Sequence, residues 1–569
     1  MSSNTSPEFD AIVVGSGISG GWAAKELTER GLKVLLVERG PHITHREDYS
    51  GEDKAPWEMP FAGRIPEEEA NRDYFVQKDC YALEGATKKF FVNDRIHQYI
   101  HPKEKPFSWI RGYQLGGRSQ LWARQTYRWS DIDFRANKTD GHGIDWPIRY
   151  QDIAPWYDHV EKFAGISGSL EGLDQLPDGK FLPPMKMNCV EVEAKQKIEK
   201  AFPTRKMIIG RCANLTEPTK EHLELGRGRC QYRNECEKGC SFGASFSSLS
   251  ATLPAARRTN NLTTVTDAIV HSVTYDNVSK RATGVKIIDA NTKDNRHYSG
   301  RIIFLCASTL GSTQIMLNSI SESFPNGIAN SSGTLGHYLM DHIFMSGARG
   351  EHPGFQENYY SGRRPNGIYI PRYRNVTEKD DRFLRGYGFQ GGASRPNWRR
   401  GLNMQGIGLE LKEKLREPGA WQFHLGGFGE MLPDKRNRVQ LDKNKQDQWG
   451  IPLLTIECEL HDNELKMLAA MADDAEAMLS AAGIINIQKY SEDAPPGLAI
   501  HEMGTARMGH NPSSSVLNKF NQTHDVSNLF VTDGSAMTSS ACQNPSLTYM
   551  ALTARASAYA VHLLKEGKI

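Results

Sequence analysis

Apolar and polar positions follow different rhythms along this 569-residue chain, and each rhythm predicts a different element. Near the start, "DAIVVGSGISGGWAAKELTERGLKVLLVERG" opens with the apolar run Ala11 to Val14 and turns through Gly15, Ser16, Gly17, Ile18, Ser19 and Gly20. It continues as a helical stretch of Ala, Lys, Glu and Leu, and a second apolar run, "KVLLVE", ends at Glu38. Strand, glycine turn, helix and strand in this order predict a βαβ unit. Near the other end, "NLFVTDGSAMTSSACQNPSLTYMALTARASAYAVHLL" predicts a short strand ending at Asp533 and Gly534. A loop of small residues follows, then a long Ala-rich helix opening near Asn544 and Pro545. Between these ends, "QFHLGGFGEMLPDKRNRVQLD" alternates like a strand and ends in a turn. No internal repeat or low-complexity tract interrupts the chain.

The N-terminal turn carries chemistry. The first glycine permits the tight turn, the second lets a pyrophosphate approach the backbone, and the third allows close helix–strand packing. Glu38 has the spacing of an acid that accepts hydrogen bonds from a ribose and disfavours a 2'-phosphate, which argues against NADP and leaves FAD and NAD open. The Asn544–Pro545 helix start fits a helix N-terminus lying against a ligand. Upstream, "AIHEMGTARMG" places His501 in a loop of small residues. Alone, His501 reads equally as loop filler, and Asn544 as a helix N-cap.

Length implies two or more domains. With 38 % hydrophobic and 24 % charged residues the composition is that of an ordinary globular protein. A net charge of +2 favours no polyanion, and the short basic clusters "RPNWRR" and "DKRNR" read as solvated loops, so no nucleic-acid partner is expected. No apolar run approaches the roughly 20 residues that span a bilayer, and the first residues carry no export pattern, so the expected location is cytoplasmic and not integral to a membrane. His97 and His101 have helical metal-pair spacing, but Pro102 follows and no zincin Glu does, so a surface or packing role is expected.

Cysteines are sparse except in "RCQYRNECEKGC", where Cys230, Cys236 and Cys240 stand as C-x5-C-x3-C. Zinc would prefer two close pairs or histidines, and a disulfide leaves one thiol over. Three thiolates in a glycine-punctuated loop can cap an iron–sulfur cluster, although four-cysteine spacings are not matched. Cluster ligands, structural thiols and a zinc site all stay open.

The two ends, together with "RGYQLGGRSQLWARQTYRWSDIDF", "DWPIRYQDIAPWYDHVEKFAGISG", "NLTTVTDAIVHSV" and "LGHYLMDHIF", resemble the glucose-methanol-choline (GMC) oxidoreductases over most of the chain. Those are FAD enzymes that oxidise alcohols. The resemblance implies that His501 and Asn544 face the flavin, that Glu38 holds the adenosine ribose and that Val270 meets the adenine edge. It also places Asp533 and Gly534 near the pyrophosphate or ribityl chain, and Gly116, Gly117, Ser119, Pro545 and Thr548 in the cofactor site. Ser308 departs from the family pattern, which usually has glycine there. Leu121 stands where some relatives attach flavin through His, so non-covalent FAD is expected. Within the family, the chain is most similar to bacterial sugar dehydrogenase large subunits of the glucoside 3-dehydrogenase type.

That similarity implies oxidation of a sugar or glycoside secondary alcohol, chiefly the 3-hydroxyl of a pyranoside, with His501 as base and Asn544 orienting the alcohol oxygen. A pyranose or C-glycoside oxidase using oxygen is the alternative, and a non-redox flavoprotein or lyase of the same fold the third reading. Some relatives carry a three-iron (3Fe-4S) cluster on similar cysteines, which would make Cys230, Cys236 and Cys240 ligands. They also work with a small subunit and a cytochrome c, and a signal-bearing small subunit would carry this chain to the periplasm. The expected fold is α/β: a Rossmann-like FAD-binding domain from residues 1–45, 105–150, 246–344 and 500–569. It interleaves with substrate-binding and cap regions 46–104, 151–245 and 345–499 on an antiparallel sheet with helices, including the cysteine loop 229–244. Trp398 and Tyr387 are candidates for stacking on a sugar or for packing.

Overall fold

The structure is a computed structural model that describes residues 8–359, 364–396, 400–401 and 404–569. The N-terminal apolar run forms strand β1 (Phe9–Val14), the turn leads into helix α1 (Ile18–Glu29), and strand β2 (Val34–Val37) lies parallel to β1. Continuous apolar strands of this kind suit a parallel sheet covered on both faces. The sheet has seven strands. Leu262–Val265, β2, β1, the C-terminal half of Asn295–Leu305 and Leu529–Val531 run parallel. The strands Ala268–Asp276 and Arg281–Asp289 add an antiparallel meander to the other half of Asn295–Leu305.

Helix α1 packs on the C-terminal helix Ser546–Lys565, which packs in turn on Tyr150–Ala164. The small residues Gly20, Gly21, Ala23 and Ala24 are all buried and keep α1 close to its neighbours. A six-stranded antiparallel sheet forms the second layer system, in the order Ile485–Ser491, Ser346–His352, Trp421–Gly429, Tyr387–Ser394, Ile368–Ile370 and Ile208–Ile209. Trp421–Gly429 alternates between more and less buried positions, as its sequence rhythm requires. Its apolar face packs with Met467, Met471 and Met478 of helix Asp462–Ala481.

A smaller, four-stranded antiparallel sheet decides the position of the site. It runs Pro452–Glu457, Arg438–Gln446, His337–Met340, Met503–Thr505, and Met503 pairs with Met340. That register sets the residues just after Met340 beside those just before Met503.

Three alternatives left open by the sequence are decided here. Asn544 is not the N-cap of the last helix: Pro545 occupies that position. Tyr387 is fully buried and donates to Asp474 Oδ2 at 2.5 Å, so it cannot stack on a sugar. Trp398 lies outside the described residues. His97 takes the packing role expected of it: it is half-buried and stacked on the Trp449 ring at 5.4 Å, and burial lowers its pKa to about 3.

Candidate active site

Gly15 shows why the turn needs glycine. Its φ is +90°, and a Cβ there would lie 2.5 Å from the Cys306 carbonyl oxygen. At Gly20 a Cβ would lie 1.8 Å from the Gly15 carbonyl oxygen, so the third glycine closes the helix onto the turn. The carboxyl ends of β1 and β2 thereby bring the turn and Glu38 together. Glu38 accepts from the Ser16 N–H (3.0 Å), the Ser16 hydroxyl (2.5 Å) and the Gly40 N–H (3.1 Å). Burial raises its pKa, opposed by those donors.

One cavity is lined by Gly15, Gly17, Ile18, Ser19, Glu38, Gly117, Ser119, Val270, Asp533, Gly534, His501, Asn544 and Pro545. Three residues expected in the site stand behind this lining. Gly20 packs beneath the turn, the Gly116 N–H donates to Ser16 Oγ (2.8 Å), and Thr548 shares a 2.7 Å hydrogen bond with the Tyr157 hydroxyl. They shape the cradle without facing its interior. Asp533 is fixed by the Ser312 hydroxyl and by the Ser535 N–H and hydroxyl, and burial raises its pKa.

These residues fit a dinucleotide cofactor on structural grounds. A Cβ on Gly17 would project into open space, a helix N-terminus faces the turn, and a buried carboxylate ends β2. In the same wall, the Tyr549 hydroxyl is buried with no hydrogen-bond partner. Leu121 also lines this cavity.

In the same wall, two further side chains meet. Asn544 Nδ2 lies 3.4 Å from His501 Nε2, and Asn544 Oδ1 accepts from Gln390 Nε2 at 2.7 Å. On the other side of the ring, His501 Nδ1 lies 3.0 Å from His342 Nδ1. The His501 N–H donates to Asp341 Oδ1 (3.0 Å), while Asp341 Oδ2 accepts from the N–H groups of Gly497 (2.7 Å) and Ala499 (3.2 Å). Phe428 packs 6.3 Å from the His501 ring. Burial, followed by the proximity of His342 and of the Arg118 guanidinium, holds the His501 pKa well below its ordinary value. The imidazole is therefore neutral at neutral pH, the form that accepts a proton.

Sequence reasoning missed His342, Asp341, Gln390 and Arg118. His342 and Asp341 sit inside "LGHYLMDHIF", but nothing in that string tells which distant loop they meet. Gln390 reaches the site from the six-stranded sheet, 154 positions from Asn544.

The cysteine loop is a different environment. Cys230 and Cys236 are buried, and Cys230 packs with Cys212, Met185, Ile209 and Leu215. Asn214 Nδ2 donates to Cys236 Sγ at 3.7 Å. Burial raises the pKa of Cys236 and takes that of Cys230 to about 12, so these are thiols rather than ready thiolates. Among the described residues no group of three or more His, Cys, Asp and Glu side chains is arranged to hold a metal ion. Cys236 and Cys240 lie close enough to Cys230 to raise its pKa further, after burial.

Comparisons with known proteins agree with the geometry. Two family models described as GMC oxidoreductase match residues 9–344 and 433–553. The chain is 28 % identical to 2-methyl-1,2-propanediol dehydrogenase of Mycolicibacterium austroafricanum, over 97 % of this chain and 95 % of that one. It is 26 % identical to the fructose dehydrogenase large subunit of Gluconobacter japonicus, over 99 % of this chain and 100 % of that one. Its fold is similar to that of a formate oxidase from Aspergillus oryzae, with a TM-score of 0.61 at 13 % identity over 99 % of this chain and 100 % of that one. Among the described residues no helix is long and apolar enough to cross a membrane.

Proposed function

The chain belongs to the GMC oxidoreductases, FAD-dependent enzymes acting on CH–OH groups, and on that premise we propose that it is a dehydrogenase for a secondary alcohol of a sugar or glycoside, with the 3-hydroxyl of a pyranoside as the position oxidised. The observation that carries this reading is the meeting of His501 Nε2 and Asn544 Nδ2 in the wall of the dinucleotide cavity.

In the proposed reaction His501 Nε2 takes the hydroxyl proton, while the Asn544 amide hydrogen-bonds the substrate oxygen as its O–H bond breaks and C=O forms. When bound, FAD supplies the acceptor for the carbinol hydride. Glu38 is proposed to hold the adenosine ribose, and the α1 N-terminus the pyrophosphate. Phe428 and Phe344 wall the site beside His501. Leu121 offers no nucleophile, which supports non-covalent FAD.

A sugar substrate draws support from the similarity to fructose dehydrogenase, and oxidation of an alcohol more broadly from that to the propanediol dehydrogenase. Similarity to a large subunit supports a small-subunit partner; a cytochrome c acceptor and a periplasmic location belong to the proposal through the family resemblance alone. No electron step is assigned to the cysteine loop.

The test is anaerobic flavin absorbance after adding methyl glucoside, D-fructose or 1,2-propanediol, followed by turnover with an artificial dye and with oxygen. Bleaching by the pyranoside, with dye reduced much faster than peroxide forms, is expected. Bleaching by the short diol alone would remove the sugar reading. Peroxide formed as fast as dye is reduced would replace the dehydrogenase by an oxidase.

A further inference from the structure

His342 belongs to no motif whose chemistry the sequence announces, yet it is buried, only 3 % exposed, and directly behind the proposed base. Its place follows from topology. Asp341 and His342 leave the strand His337–Met340 just where His501 and Glu502 enter the antiparallel strand Met503–Thr505, and the Met340–Met503 pair fixes that register.

The proton positions in this corner follow from one carbonyl. His342 Nε2 lies 3.1 Å from the Ser540 carbonyl oxygen, which can only accept, so that nitrogen carries a hydrogen. Burial lowers the His342 pKa to about 4, so the ring is neutral at neutral pH and its Nδ1 is a bare acceptor. His501 Nδ1, 3.0 Å away, must then be the donor of that pair. A neutral His501 with hydrogen on Nδ1 has its lone pair on Nε2. The opposite end agrees independently. Gln390 Nε2 occupies the Asn544 oxygen, which turns the Asn544 amide N–H toward His501 Nε2. A donor is thus aimed at the nitrogen that the first half of the chain leaves bare.

We propose that His342 is a positioning residue that holds His501 in the Nδ1–H tautomer, leaving Nε2 bare toward Asn544 and the substrate cavity. Asp341 complements it by holding the His501 backbone N–H together with those of Gly497 and Ala499. The side chain of one residue sets the proton on the ring, and the side chain of the residue before it sets the path of the loop. Once His501 has taken the substrate proton, its Nδ1–H still points at the His342 lone pair, so the imidazolium forms without any rearrangement behind it.

This inference rests on the reading of His501 as base, but its test needs no substrate. Solid-state 15N NMR of histidine-labelled holoenzyme at neutral pH reports which ring nitrogen carries hydrogen, and an H501A sample identifies the His501 signals. The expected result is hydrogen on Nδ1 of His501 in the wild type. His342→Asn, whose side-chain oxygen can take the place of the Nδ1 acceptor, should keep it there. His342→Leu should shift the His501 hydrogen toward Nε2. Hydrogen on Nε2 in the wild type, or an unchanged Nδ1–H in His342→Leu, overturns the proposal. Should the leucine variant not fold, the wild-type spectrum alone still decides it. Full flavin reduction by H501A would remove the base role while leaving the tautomer result standing, so the two failures are distinguishable.

Discussion

Arg118 and Glu502 form a two-pronged ion pair, Nη1 to Oε1 at 3.1 Å and Nη2 to Oε2 at 2.8 Å, with the Glu502 side chain 2 % exposed. Arg118 lies between the cavity-lining residues Gly117 and Ser119, and Glu502 follows His501, so the pair ties the cofactor loop to the loop of the base. Removing one partner strands a buried charge. Arg118→Met is expected to destabilise the holoenzyme by about 2–4 kcal/mol, somewhat less than a fully buried pair because part of Arg118 meets solvent. The double variant Arg118→Met/Glu502→Gln should recover much of that loss in urea unfolding. Equal losses in the single and double variants would show that the pair contributes by packing alone.

The two site histidines make stability fall in acid. His342 has a folded pKa of about 4 against an ordinary 6.5, so the unfolded chain binds the proton first. Its contribution is present above pH 6.5 and is lost as pH falls from 6.5 to 4, by about 3 kcal/mol at most. Asp341 acts in the opposite sense: burial, then Glu502, lifts it to about 7, so its contribution is present below pH 3.8 and lost as pH rises toward 7. Thermal melting of His342→Asn should therefore show a shallower decline between pH 6.5 and 4 than the wild type. Parallel curves would mean that His342 titrates alike in both states.

Flavin reduction should resist acid for the same reason. With His501 held neutral well below pH 6.5, the rate should stay level from pH 8 to 6.5 and fall only in more acid buffer. An acid limb centred near pH 6.5 would show an unperturbed histidine at work.

Ser308 occupies a backbone conformation that belongs to glycine, with φ +69° and ψ 165° immediately before the helix Thr309–Asn318. Serine is thus held in a conformation that favours glycine. Ser308→Gly is expected to raise stability by about 1 kcal/mol, the relief of strain exceeding the entropy that glycine adds to the unfolded chain. A lower melting temperature would show that the serine hydroxyl matters more than the strain.

Glu38 accepts from two backbone N–H groups and a hydroxyl, and a glutamine can satisfy only part of that set. Glu38→Gln should weaken FAD retention by about 10- to 100-fold, read from the fluorescence of released flavin.

What the sequence disclosed follows the range of the interactions. The β1–α1–β2 unit was legible because its signals are local: an apolar run, glycines where only glycine fits, and an acid ending the next strand. Val270, Asp533 and Gly534 were placed in the site by resemblance, since their strands meet the turn only in the folded sheet. His501 and Asn544 also needed the resemblance, being 43 positions apart. The partners that orient them were not legible at all. Gln390 arrives from the six-stranded sheet and His342 from the neighbouring strand of the four-stranded one, and no spacing rule joins a residue to a loop 159 positions away. Tyr387 is ambiguous in sequence because aromatic character signals a sugar platform and a core residue equally, and only its burial and its bond to Asp474 decide.

The most direct test of His501 as the base of an alcohol dehydrogenase is the rate of anaerobic flavin reduction in H501A against wild type, at matched FAD content. Methyl glucoside and D-fructose serve as the reductants. General acid–base groups supply about 100- to 10,000-fold, so the wild-type flavin should bleach while the variant keeps its flavin and reduces it slower by that factor. Equal rates in the two proteins, or a wild-type flavin that neither sugar reduces, would contradict it.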